Sequence, residues 1–180
     1  MKPYPIQLQP ILKHPIWGGT RLKNRWGLET EAPTVGESWV LTVRKQEKNV
    51  IRNGAWAGKT LDEVIEAYGA HADSFPLLVK FLDAGSTLSV QVHPDDRYAA
   101  EVEHDRGKTE MWHILEAEPG AELICGLKPG LTRADFAEAV REGKTEDALA
   151  HIPVQPGETY FIPAGMPHAI GGGILLAEIQ

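Results

Sequence analysis

Cysteine is nearly absent from this sequence. Cys125 is the only one in 180 residues, so no disulfide can form within the chain. Long hydrophobic runs are missing too: none approaches the roughly 20 residues of a membrane span. The N-terminal MKPYPIQLQP carries prolines and glutamines where a signal peptide needs an apolar stretch. A soluble, cytoplasmic protein without a membrane partner is therefore expected. Positive charge is in deficit, with 18 Lys and Arg against 25 Asp and Glu, a net charge of -7. That balance argues against a nucleic-acid partner, which would need a basic stripe. It still permits a small anionic ligand in a locally basic pocket. There is no internal repeat and no low-complexity tract. The glycine run 171–173 lacks the Lys-Ser/Thr ending and following helix of a phosphate loop, and reads as a tight backbone turn.

What is present is a series of short apolar segments bounded by Gly, Pro and Asn. Ser38–Val43, Leu77–Leu82, Thr87–Val92, Met111–Glu116, Ala121–Cys125, Thr159–Ile162 and Gly173–Ile179 have the length and the β-branched or aromatic content of strands. Two helices interrupt them. Thr60 opens TLDEVIEAY, with Glu63 completing a capping box and Leu61, Val64, Ile65 and Tyr68 on one face. Thr132 opens TRADFAEAVREG, with Asp135 near its start and Gly143 as its stop, and a short helix over Thr145–Ala150 is expected after it. The expected fold class is mainly β, a jelly-roll β-sandwich with helical insertions. At this length one domain over residues 1–180 is expected, with the insertions at about 60–70 and 132–150. The final GGGILLAEIQ reads as a strand with no turn chemistry after it, which favours a piece of something longer.

Four residues form a metal-binding pattern. Gln91 and His93 are two apart, which on a strand puts both on one face. Glu110 follows, and His168 comes directly after a Pro-Ala-Gly-Met-Pro turn. Neutral imidazoles and an anionic oxygen converging on one point suit a divalent metal, and the set alone fits zinc, iron or manganese. His14, His71, His104, His113 and His151 read as surface or packing histidines. Strand alternation points His113 away from Glu110.

The spacing Gly85, Gln91, His93 resembles the first metal motif of cupins, with Gln in place of the first histidine. Gly157, Pro163-Ala-Gly165, His168 resembles the second. The strings PIWGGTRL, GESWVLT, LSVQVHPDD, GKTEMWHIL and FIPAGMPHAI together resemble the type I mannose-6-phosphate isomerases of the short bacterial form, in order from about Pro15 to Gln180. The resemblance implies a zinc cupin, one Zn2+ per chain on Gln91, His93, Glu110 and His168, interconverting mannose 6-phosphate and fructose 6-phosphate. It implies an active-site role for Lys108, substrate-phosphate contacts at Ser89 and Lys80, and pocket-lining roles for Trp17 and Trp39. Members of that family continue with a serine-aspartate stretch, a tyrosine-arginine pair whose arginine is counted as catalytic, and a further β-domain. These lie outside the 180 residues.

The implied reaction passes through an enediol. A divalent metal can polarise the substrate oxygen, and Lys108 can neutralise charge or relay a proton. A non-catalytic sugar-phosphate-binding metal cupin, or an inactive fragment of the isomerase, is the alternative. A metal-dependent dioxygenase is a third reading.

Overall fold

The computed structural model describes residues 4–44 and 46–180. The polypeptide forms two compact units. One runs to Asp83 and regains Ala177–Gln180, and the other is Ala84–Leu176. Strands dominate, as the apolar segments predict, and every strand pairing with a resolved register is antiparallel. Among the described residues no helix is long and apolar enough to cross a membrane.

In the first unit β1 (Ile11–Lys13) is followed by α1 (Arg21–Trp26), β2 (Glu37–Leu41), the small hairpin β3 (Val43–Arg44) and β4 (Glu47–Lys48), α2 (Leu61–Ala67) and β5 (Val79–Ala84). β1 pairs with β2, and β2 with β5. Leu78 and Gln180 exchange both N–H···O bonds, at 3.0 and 2.8 Å, so the chain's end is tied back antiparallel to the start of β5. The capping box at Thr60 and Glu63 forms as expected. Helix α1 has no local signal in the sequence, because its cap comes from far along the chain. The Asp83 carboxylate accepts from the N–H groups of Arg21 at 2.5 Å and Leu22 at 3.3 Å, the work an N-cap side chain would otherwise do. Leu22, Val35, Ile51, Val64, Leu78 and Leu82 are buried in this unit.

The second unit holds the one-turn α3 (Asp96–Tyr98), β6 (Glu110–Ala117), β7 (Glu122–Leu127), α4 (Arg133–Arg141), α5 (Thr145–Ala148), β8 (Leu149–Pro153), β9 (Thr159–Ile162), β10 (His168–Ile170) and the first half of β11 (Ile174–Ile179), whose remainder belongs to the first unit. β6 pairs with β9, and β10, β7 and β8 form a three-stranded sheet in that order. Along β6 the residues alternate, with Glu110, Trp112 and Ile114 buried and Met111 and His113 half-buried. That period of two carries Glu110 to the interior. Thr132 and Asp135 cap α4 reciprocally, and Gly143 follows at φ +71°.

Two expected elements differ. The helix over Thr145–Ala150 stops at Ala148, because Leu149 is extended and fully buried and opens β8 against β7. Thr87–Val92 is not a strand. Leu88 donates to the Ile170 carbonyl and Gln91 pairs with His168, three residues on one side against two on the other. A one-residue slip of that kind breaks a continuous ladder.

Candidate metal centre

The site is assembled from three places in the Ala84–Leu176 unit. The first is the segment after the slip. Gln91 and His168 exchange N–H···O bonds of 2.9 Å in each direction, the narrow pair of an antiparallel bridge, whose side chains share one face. Gln91 itself is exposed. The second is the start of β6, which supplies Glu110 and, just before it, Lys108. Gly107 makes that approach possible: a Cβ there would lie 2.4 Å from the Asp96 nitrogen and 2.6 Å from the Asp95 carbonyl carbon. Lys108 N–H donates to the Pro94 carbonyl at 3.0 Å, which ties the lysine strap to the segment carrying His93. The third is the turn Pro163–Met166. Gly165 adopts φ +84° and donates to the His93 carbonyl at 2.8 Å, so the turn that aims His168 is fastened to His93 as well.

Among the described residues His93, Glu110 and His168 bring one ligand atom each within 4.8 Å of one another. His93 Nε2 lies 3.2 Å from Glu110 Oε1, and His168 Nε2 3.7 Å from Glu110 Oε2. Donors about 2.1 Å from a tetrahedral ion stand ~3.4 Å apart, so the spacing fits a metal of zinc size. Glu110 and His168 are buried, at 1% and 3% exposure.

Protonation also suits coordination. Burial pushes the Glu110 carboxyl up, but contacts with its neighbours, the Lys108 ammonium among them, outweigh it and hold the group ionised, well below the usual carboxylate range. Burial pushes His168 below its ordinary value, towards the neutral imidazole. Its Nδ1 lies 2.8 Å from the Met166 carbonyl. A carbonyl can only accept, so Nδ1 carries the proton and Nε2 keeps a free lone pair. The Trp112 ring meets the His168 ring edge-on, with centroids 5.5 Å apart. Neither Trp112 nor Met166 was singled out from the sequence. The signals were two-residue spacings: Trp112 shares the Glu110 face of β6, and Met166 precedes His168 in its turn.

The other expected residues fall differently. Ser89 is exposed within the slipped segment of the same unit. Lys80 and the half-buried Trp17 belong to the other unit. There the Lys80 ammonium lies 3.3 Å from both Glu37 Oε2 and Glu178 Oε1, over the Trp39 ring. One ammonium against two carboxylates leaves local charge negative, so phosphate capture by Lys80 requires release from a glutamate first. Cys125 stands opposite His168 in register, but burial pushes its thiol up to about 11, so it stays protonated at neutral pH. His113 faces Thr159 and His151 lies between Glu122 and Glu146, both outside the metal group.

A family model described as the catalytic domain of type I phosphomannose isomerase matches residues 6–118. The chain belongs to that family. Gln91, His93, Lys108 and Glu110 lie within the matched residues and His168 beyond them. The phosphomannose isomerase likeness extends further in individual relatives. Mannose-6-phosphate isomerase of Streptococcus mutans is 39% identical over 98% of this chain and 57% of its own length. Mannose-6-phosphate isomerase ManA of Bacillus subtilis is 37% identical over the same shares. A crystal structure of the mannose 6-phosphate isomerase from Bacillus subtilis superposes with a TM-score of 0.91 at 37% identity, covering 98% of this chain and 58% of that one. The chain thus spans somewhat more than half the length of these relatives, and its fold is the cupin fold that the two metal motifs imply.

Proposed function

We propose that this chain carries the metal-binding part of a cytoplasmic, zinc-dependent mannose-6-phosphate isomerase, interconverting mannose 6-phosphate and fructose 6-phosphate through an enediol. The observation that carries the reading is the convergence of His93, Glu110 and His168 beside the Lys108 ammonium. Gln91, bridged to His168, is the fourth ligand in this reading. Bound zinc supplies Lewis-acid polarisation of a substrate oxygen. The Met166 carbonyl keeps the His168 lone pair directed at the metal position, and Glu110 contributes the anionic donor. Lys108 neutralises charge developing on substrate oxygens or relays the proton moved between adjacent carbons. Ser89 offers a hydroxyl to the phosphate, Lys80 an ammonium once exchanged from Glu37 or Glu178, and Trp17 its indole face.

The test is a coupled assay on the zinc-loaded polypeptide, following fructose 6-phosphate formed from mannose 6-phosphate, with His168→Ala as the blank. Turnover that disappears in the variant is the expected result. A chain that binds one zinc and the sugar phosphate saturably, with no product formed, would replace the isomerase by a binding module.

A further inference from the structure

The contacts of the Lys108 ammonium fix which neighbouring atoms must accept a hydrogen bond. Its Nζ lies 2.7 Å from Glu110 Oε1 and 2.8 Å from His93 Nε2. An ammonium has donors only, so His93 Nε2 must accept, which assigns its ring proton to Nδ1. His93 Nε2 and Glu110 Oε1, 3.2 Å apart, are then two acceptors facing one cation. This is the arrangement that a metal would impose on the same two atoms, with an ammonium in place of the ion. An imidazole nitrogen has a single in-plane lone pair. It can serve the ammonium or a metal, not both at once.

We propose that Lys108 is a built-in counter-cation that holds the metal-free ligands in register and must be displaced from His93 Nε2 when the metal enters. The inference rests on the metal centre proposed above and adds a coupling to it. In the metal-free chain the lysine is sequestered, its side chain 25% exposed beside a fully buried carboxylate. Loading the site releases the ammonium while leaving it tethered by the Lys108 N–H bond to Pro94. The charge needed at substrate oxygens thus becomes available only once the metal is in place, so an empty site is also one whose lysine is withheld. The cost is affinity, because each metal ion must compete with a cation already bound.

Zinc affinity measured by competition with a chromophoric chelator tests this on the full chain. Lys108→Met keeps the length of the side chain and removes the charge, and it should bind zinc roughly tenfold more tightly than the parent. Equal or weaker binding by a folded Lys108→Met overturns the inference. The unmodified protein supplies a second measurement that needs no variant. Acetylation of Lys108 by acetic anhydride, read by peptide mass spectrometry, should rise severalfold on zinc loading, and an unchanged yield at one bound zinc also overturns it. If the parent chain binds no zinc at all, the metal centre falls and the displacement falls with it. That outcome is distinct from a chain that binds zinc with Lys108 unmoved.

Discussion

Each unit of the molecule contains a lysine held by glutamate, and the two differ in what else faces the ammonium. Lys108 meets one carboxylate, Glu110, and an imidazole nitrogen, with a second imidazole beyond. Lys80 meets two carboxylates, Glu37 and Glu178, and the face of Trp39. The indole spends its single N–H on Glu37 at 2.6 Å and has no lone pair to offer. The first group is charge-neutral and contains neutral nitrogen donors, so a divalent metal can replace its ammonium. The second carries an excess negative charge but no nitrogen donor, and its lysine acts as an ion-pair anchor for the strands that carry the glutamates. Charge alone does not separate a metal centre from an ion-pair anchor. Lone pairs on neutral atoms do.

The largest effect should come from breaking the first group. Glu110→Gln keeps the side-chain shape and removes the only anionic donor of the triad. Its zinc affinity should fall by at least about 100-fold, beyond the ~10–100-fold lost when a supporting partner is removed. Chelator competition measures it. Zinc binding retained within a few-fold would place the ion elsewhere and erase the distinction between the two lysines.

The converse experiment is Lys80→Met. Lys80 is 9% exposed and Glu178 4%, so the variant leaves two largely buried carboxylates without their shared ammonium. Removing one partner of a buried pair costs ~3–5 kcal/mol. Because the Glu37 side chain is 19% exposed, about 3 kcal/mol of destabilisation is expected in chemical denaturation of the metal-free chain. Zinc affinity should not change, since none of the lysine's partners is a donor of the metal group. A stable Lys80→Met variant would instead show that the lysine is poorly used by its glutamates and available for an anion.

The two regions also differ in how well the sequence reveals them. His93, Glu110 and His168 were readable because the cupin-like spacings, the Pro163–Met166 turn and the alternation of β6 are local patterns. Local signals likewise placed α2 and α4, each with its capping box. Residues that depend on distant partners were not readable. The Asp83 cap of α1 lies 62 positions from Arg21, and Glu178 reaches Lys80 across nearly 100 residues of chain. Thr87–Val92 has the composition of a strand, yet the slip opposite β10 decides its pairing, and composition carries no information about register. Alternation alone assigns Ser89 a face and the slip breaks that alternation, whereas Gln91 is fixed by its own bridge to His168.

The smallest expected effect sharpens the account of the second group. Trp39→Phe retains an aromatic face 4.7 Å from the Lys80 ammonium but deletes the N–H donated to Glu37. A hydrogen bond to a charged group contributes ~1.5–3 kcal/mol and a weakened cation–π contact a fraction of that. Glu37 keeps Lys80 as a partner and reaches solvent, so a loss of about 1–2 kcal/mol is expected. If the indole acts by orienting Glu37 towards Lys80, its effect should shrink once the lysine is gone. The Lys80→Met, Trp39→Phe pair should then be less destabilised than the sum of the single variants by ~0.5 kcal/mol or more. Strict additivity would mean that Trp39 contributes through packing alone, and the anchor would reduce to the three charged groups.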